Sequence, residues 1–470
     1  MASEKTQDNR MATAPVNKLM FSIGMPIVLS MMLQAVYNIV DSAFLSNMAE
    51  AGEEALTALG LAFPIQLLMV AVGVGTGVGT NALLSKSLGQ GNREKASRTA
   101  GNGIFMGIII FVVFLIFAFV GVPTYVNSQN ASGNISDTVL LMAIDYLKIC
   151  CGISFGIIFF SIYEKILQST GRSLYSTIAQ ITGAVINIVL DPILIYGLLG
   201  APQMGVKGAA YATVIGQIAS AVLVFIFDMK MDVEIDKNVK YMRPNGKILK
   251  EIYQIGLPAI ISQALLTVMT YGMNIILGSM QEIGENAVTV YGLYCKIQQL
   301  IIFAAVGMRD AITPIVSFNH GMRSSKRVKE GIKYGLIYTI ILMVIGLVVM
   351  EAIARPLSVV FHLTDVTFTM CVQCVRIVSL GFILAGTCIA FQGIFQALEC
   401  GIESLIISLN RQVVFVLPVA WLLSKLVTGA GNSYLVWWTF LIGEGLSFLV
   451  ALIMFRRKKV QNKINCAETA

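Results

Sequence analysis

The chain has 470 residues, of which 56% are hydrophobic and 13% charged, with a mean hydropathy of +0.78; a soluble domain carries about 25% charged residues. So apolar a chain cannot cover itself with enough polar surface to stay in water, so its main solvent must be lipid. The formal charge of +7 is not a nucleic-acid signal, because the basic residues sort by side of a membrane instead of gathering in one patch.

A spanning helix needs about 20 mostly apolar residues. Twelve such stretches follow one another: 19–46, 58–84, 100–122, 138–166, 174–197, 207–227, 250–277, 287–318, 332–354, 372–397, 404–425 and 434–455. They are far longer than the ~10-residue alternating strands of an outer-membrane barrel, and several are long enough to tilt or kink. The expected fold class is therefore an all-α integral membrane protein with twelve transmembrane helices. The N-terminal stretch Ala2 to Asn17 is polar and lacks the apolar core of a signal peptide, so the first span is expected to be retained.

In the first span, Gln34, Asn38 and Asp41 share one helix face. A charge inside a span is expensive and marks a functional candidate. The second span carries Gly73 to Thr80, which reads G-V-G-T-G-V-G-T. It lacks the G-K-[ST] of a phosphate loop, and its small-xxx-small spacing suits close helix packing. No ATP site is evident elsewhere. After this span come Lys86, Arg93, Lys95 and Arg98; the gap between the first and second spans has no Lys or Arg. The fourth span carries Asp145 and Lys148, spaced for a helix-surface pair, and ends in Glu164 and Lys165, which read as interfacial with a possible cavity role for Glu164.

The fifth span carries Asn187 and Asp191 on one face, with Pro192 able to free a backbone carbonyl there. Asp41 and Asp191 fall at similar depth in spans of the same direction. Two carboxylates and three amides at one level make a cation or proton site: Asp41 as principal carboxylate, with Asp191, Asn187, Asn38 and Gln34 completing it. A buried carboxylate beside a second one takes up a proton more readily than one in water. Sodium prefers oxygen ligands, which the same side chains supply, so both H+ and Na+ remain open.

The stretch 229–249, with Pro244, Asn245 and Gly246, is basic and reads as a linker between a lobe over 1–228 and a lobe over 250–470. The eighth span contains Arg309 and Asp310; adjacent residues point to different faces, so each is expected to find its partner elsewhere or in cavity water. His320 and His362 read as solvated loop residues, and Glu351 with Arg355 as a surface pair. Arg376 and Glu444 have no evident partner. The eight cysteines form no disulfide or zinc framework. No cofactor or resident metal is expected beyond the coupling ion. The tail adds Arg456, Arg457, Lys458 and Lys459, and the positive-inside rule then places both termini in the cytoplasm; the basic clusters also suit lipid headgroups. Lys207 and Lys425 are the exceptions to the charge sorting.

The chain repeats itself. An offset of 232 residues carries Lys18 onto Lys250, Pro26 onto Pro258, Ser30 onto Ser262, Gly60 onto Gly292, Ser85 onto Ser317 and Gly89 onto Gly321. Over 18–103 there are about 24 identities in 86 positions, against ~8 expected by chance. Farther on the alignment shifts, and Leu167 with Gln168 matches Phe395 with Gln396. Two halves of six spans each share one orientation, an architecture of secondary transporters that rock about a site between the repeats. The abundance of Met and Phe, 23 and 24 residues, suits a cavity that adapts to varied organic cations.

Two segments are specific: N-A-L-L-S-K-S-L-G-Q-G-N-R-E-K-A over 81–96, and N-I-V-L-D-P-I-L-I-Y-G over 187–197, followed by G-V-K-G-A-A-Y-A-T-V-I-G-Q over 205–217. With the duplication they resemble the multidrug and toxic compound extrusion (MATE) family, DinF-like prokaryotic branch, across nearly the whole chain. The resemblance implies proton- or sodium-driven efflux of bulky, often cationic compounds from a bacterial inner membrane, by a monomer that binds small organic molecules and lipids but no nucleic acid. It also implies a cation site at Asp41, Asn187 and Asp191 and bending of the first helix near Pro26. The chain departs from the NorM-like branch, because its seventh and tenth spans carry no mid-membrane acid. Two other readings stay open: a flippase for lipid-linked sugars or peptidoglycan precursors, thinly supported by Arg309 as the chief mid-helix base, and a lipid-modifying membrane enzyme, for which no catalytic cluster is visible.

Overall fold

The computed structural model describes residues 10–46, 48, 52–129, 136–280, 283–360 and 365–466, and those residues are helical almost throughout, with no strand among them. The helices are α1 (Val16–Ser46), α2 (Gly52–Gly89), α3 (Arg93–Ser128), α4 (Asp137–Gly152), α5 (Phe155–Ser169), α6 (Ser173–Tyr196), α7 (Val206–Met231) and α8 (Gly246–Gly278). They continue as α9 (Gly284–Gly321), α10 (Ser325–Val360), α11 (Asp365–Ser379), α12 (Phe382–Ala397), α13 (Gly401–Leu409), α14 (Val416–Ser424), α15 (Tyr434–Phe455) and α16 (Lys458–Ile464). Among the described residues, ten stretches are long and apolar enough to span a membrane, and the bent pairs α4–α5 and α11–α12, each taken as one span, make twelve. This is the all-helical, multi-pass fold expected from hydropathy.

Sequence punctuation sets several ends. Asn92 caps α3 by accepting from Lys95 N at 2.9 Å, as a short amide at an N-cap does. Gly197 ends α6 at φ 75°, a left-handed turn that glycine adopts without a β-carbon clash. Proline does not break these helices: Pro26, Pro192 and Pro258 lie inside α1, α6 and α8.

The breaks come elsewhere. The fourth span is two helices bent by 45° and the tenth two helices bent by 48°. An offset of 228 residues carries Gly152 onto Leu380 and Ser154 onto Phe382, so the bend recurs at the equivalent place. Both offsets are written into hydrogen bonds, 232 between the donors and 228 between the acceptors: Ser85 Oγ donates to Ser169 O at 3.3 Å, and Ser317 Oγ to Ala397 O at 3.0 Å.

The helices form two compact units, Leu33–Ile260 in the first and Asn9–Met32 with Ile261–Ala470 in the second. Within the first, the glycine run of α2 is a packing surface. A β-carbon on Gly75 would meet the backbone of Ile260 at 2.9 Å, and one on Gly77 the carbonyl of Ser161 at 2.9 Å.

Candidate cation site and buried charges

The first unit ties the C-terminal half of α1 to α6 at two levels. Gln180 Nε2 on α6 donates to Gln34 Oε1 on α1 at 3.0 Å. Farther along both helices, the Tyr196 hydroxyl donates to the Phe44 carbonyl and the two rings meet edge to face, 6.4 Å between centroids. Both ties advance in the same chain direction, so this stretch of α1 runs alongside α6. The α1 backbone at Asp41 and the α6 residues Asn187 and Asp191 fall between the ties. Two paired contacts ten residues apart on α1 hold about 15 Å of helix.

Asn187 and Asp191 are buried, at 4% and 0% exposure, and Asn187 Nδ2 donates to Asp191 Oδ1 at 3.2 Å. Asn187 Oδ1 has no hydrogen-bond partner among the described residues. A buried carboxylate and a buried amide oxygen are the groups that bind a proton or a small hard cation. The α1 helix runs through Asn38 and Asp41, but their side chains lie outside the described residues. Gln180 was missed by sequence reasoning, although it precedes Asn187 by seven residues, two turns down the same face.

Other charges depart from expectation. Glu164 and Lys165, near the end of α5, are buried within the protein, at 4% and 1% exposure. The bend at the middle of their span swings α5 inward against α2, where Gln168 Nε2 donates to Glu164 Oε1 at 2.9 Å. Arg309 and Asp310 do pair, with Arg309 Nε donating to Asp310 Oδ1 at 2.9 Å; the long arginine stem folds back over its neighbour, which the helix-face argument overlooked. Asp145 pairs with Lys207 at 3.0 Å, not with Lys148, and Glu351 lies 3.7 Å from Arg376, not beside Arg355. Arg411 grips Glu444 through Nε and Nη2, both at 2.7 Å. His320 ends α9, with its ring Nδ1 3.9 Å from Cys466 Sγ, and His362 lies outside the described residues. All eight cysteines are free, and no metal-holding cluster occurs among the described residues.

Outside the spans, a second charged cluster joins the α5–α6 turn to the end of α7. Asp232 is fully buried and accepts from Thr170 Oγ1 at 2.6 Å and Arg172 Nη1 at 2.9 Å. Arg172 also grips Glu234 at 2.9 and 3.0 Å. Burial, then the neighbouring charge of Asp228, pushes the Asp232 carboxyl well above the usual carboxylate range. Burial alone would lower Arg172, but its hydrogen bond to Glu234 and the charges of Asp232 and Glu234 outweigh it and leave the guanidinium raised.

The sequence model of the MatE family matches residues 26–193 and 258–422, once in each half of the duplication. A multidrug export protein, MepA of Staphylococcus aureus (strain bovine RF122 / ET3-1), is 25% identical over 441 residues, covering 94% of each chain. MepA of Staphylococcus saprophyticus is 24% identical over 439 residues, covering 93% of each. A solved structure described as the outward-facing conformation of a multidrug resistance MATE family transporter superposes with a TM-score of 0.89 at 23% identity, over 97% of this chain and 98% of that one. At that identity the structural likeness establishes the fold.

Proposed function

The chain belongs to the MatE family of membrane transporters, and from that premise we propose that it is a secondary active antiporter that exports bulky, often cationic organic compounds in exchange for H+ or Na+. It is a multi-pass membrane protein and not an enzyme. The observation that carries the coupling reading is the lacing of α1 to α6 by Gln34–Gln180 and Phe44–Tyr196, with Asn187 and Asp191 buried between the ties. Asp41 is the principal coupling carboxylate, and Asp191, Asn187, Asn38 and Gln34 complete the site. Pro26 lies earlier on α1, inside the helix, where a missing backbone donor lowers the cost of bending. Cation binding and drug binding favour different states, and that difference in affinity is what couples the two fluxes. The relatives' activity as multidrug exporters supports the substrate class. The basic clusters after α2 and α5, in 229–249 and after α15 support cytoplasmic termini in a bacterial inner membrane.

The test is ethidium efflux from vesicles carrying the protein, with pH and sodium gradients imposed separately, for wild type and Asp41→Asn. One gradient is expected to drive efflux, and Asp41→Asn to abolish it while the protein still inserts. If neither gradient moves ethidium or another organic cation, the antiporter reading fails. If Asp41→Asn pumps normally, the coupling site lies elsewhere.

A further inference from the structure

Two positions of the duplication have traded a charge. In the first unit Gly77 on α2 lies against Lys165 on α5, and a β-carbon on Gly77 would come within 2.8 Å of Lys165 Cγ. In the second unit the roles reverse: Gly393 on α12 lies against Arg309 on α9, and a β-carbon on Gly393 would come within 2.8 Å of Arg309 Cγ. The offset of 232 residues carries Gly77 onto Arg309, and the offset of 228 carries Lys165 onto Gly393. The second offset is fixed independently, by the paired Ser85–Ser169 and Ser317–Ala397 hydrogen bonds and by the recurring bend. Each unit therefore encloses one long cation at an equivalent place, on opposite members of the equivalent helix pair, and in each the facing residue is glycine.

Each cation also has an acid beside it in sequence. Lys165 Nζ lies 3.7 Å from Glu164 Oε2 and donates to Gln168 Oε1 at 3.0 Å, while Gln168 bridges back to Glu164. Arg309 Nε and Nη2 both reach Asp310 Oδ1 at 2.9 Å. Taking such a pair out of water costs several kcal/mol per ion, and apolar residues of similar volume are often at least as stabilising. Packing alone therefore gives no reason to keep one. Descent from the duplication gives none either, because it would leave the cation on the same helix in both halves. The halves are two solutions to one requirement, and what they share is a positive charge held beside an acid at this place, its side chain 1% exposed at Lys165 and 14% at Arg309. We infer that Lys165 and Arg309 are equivalent internal counter-ions, positioning residues that hold Glu164 and Asp310 in their units, and that turnover depends on their charge and not on their bulk.

The inference rests on the transporter reading, and the experiment separates the two by reading thermal stability and ethidium efflux side by side. Lys165→Met and Arg309→Met keep the stem and delete the charge. Each is expected to lower the melting temperature and to cut the efflux rate by about tenfold or more, because the positive charge set beside the neighbouring acid is gone. Glu164→Gln with Lys165→Met, and Asp310→Asn with Arg309→Met, remove both charges. These doubles are expected to regain the melting temperature while efflux stays low, a split that a purely structural pair would not produce. Lys165→Arg and Arg309→Lys are expected to retain several times the efflux of the Met variants, since they keep the charge although its geometry changes. A double-neutral variant that pumps at the wild-type rate overturns the inference, as does one that regains no stability. If wild type moves no ethidium at all, the transporter reading is what has failed, and the stability measurements still decide whether the pairs are counter-ions.

Discussion

Glu444 sits inside a spanning helix with an exposure of 14%, and the guanidinium of Arg411 holds both its oxygens at 2.7 Å. Arg411 belongs to a π turn, Asn410–Val414, between α13 and α14, and such turns add a residue to the helix and re-aim the side chains that follow. Glu444→Gln leaves the guanidinium buried without its counter-charge, and a cost of about 3–5 kcal/mol is expected. The melting temperature of the purified protein should fall by several degrees, and adding Arg411→Met should recover most of the loss. If Glu444→Gln melts with wild type, the pair is not holding α15 to the π turn. The sequence marked Glu444 as costly but could not name its partner, which lies 33 residues away, because no periodicity foretells a π turn. Asn187 and Asp191 were legible for the opposite reason: four residues apart on one helix, they had to share a face. Gln34–Gln180 joins two helices 146 residues apart, and one chain read alone gives no rule for such a match.

The α6–α7 pair shows how an element positions the site. Gly183 on α6 and Gly216 on α7 face each other. A β-carbon on Gly183 would fall 2.5 Å from the Gly216 carbonyl, and one on Gly216 would fall 2.6 Å from the Gly183 carbonyl. Backbone meets backbone there, the close approach that small residues allow between membrane helices. Asn187 lies one turn beyond Gly183, so Gly183→Val is expected to push α6 off α7, lower the melting temperature and cut ethidium efflux. Gly60→Ala in α2 is the control: nothing lies within 4 Å of its β-carbon position, and replacing a helical glycine with alanine gains up to about 1 kcal/mol. If Gly183→Val matches Gly60→Ala in both measurements, the contact does not set the position of α6. The spans themselves were readable from hydropathy because twenty apolar residues have few other fates. The two broken spans were not, because the bends fall at Ile153 with Ser154 and at Leu380 with Gly381, while the prolines that sequence reasoning watches sit in unbroken helices.

Across the molecule the duplication was legible where packing constrains both halves alike, as at Ser85 and Ser317, and faded where the halves diverged in charge, as at Lys165 and Gly393. Stability of the whole fold also carries a pH dependence set outside the membrane. The folded state holds the Asp232 carboxyl well above the usual carboxylate range, through burial and then the charge of Asp228. Folding therefore favours the protonated acid, so the Asp232 contribution is fully present below an unfolded value of about 3.9. It is lost as pH rises through the raised folded value, opposite in sign to an acid stabilised as its anion. Arg172, Thr170, Glu234 and Lys237, which lies 3.5 Å from Asp228, surround the group. Asp232→Asn keeps an acceptor oxygen for Thr170 and Arg172 and removes the titration. Melting curves of both proteins across pH are expected to converge at the acid end and separate as pH rises, with wild type losing stability relative to Asp232→Asn. Parallel curves would mean that Asp232 titrates alike in the folded and unfolded chain. A gap that closes with rising pH would mean that Arg172 holds it as the anion.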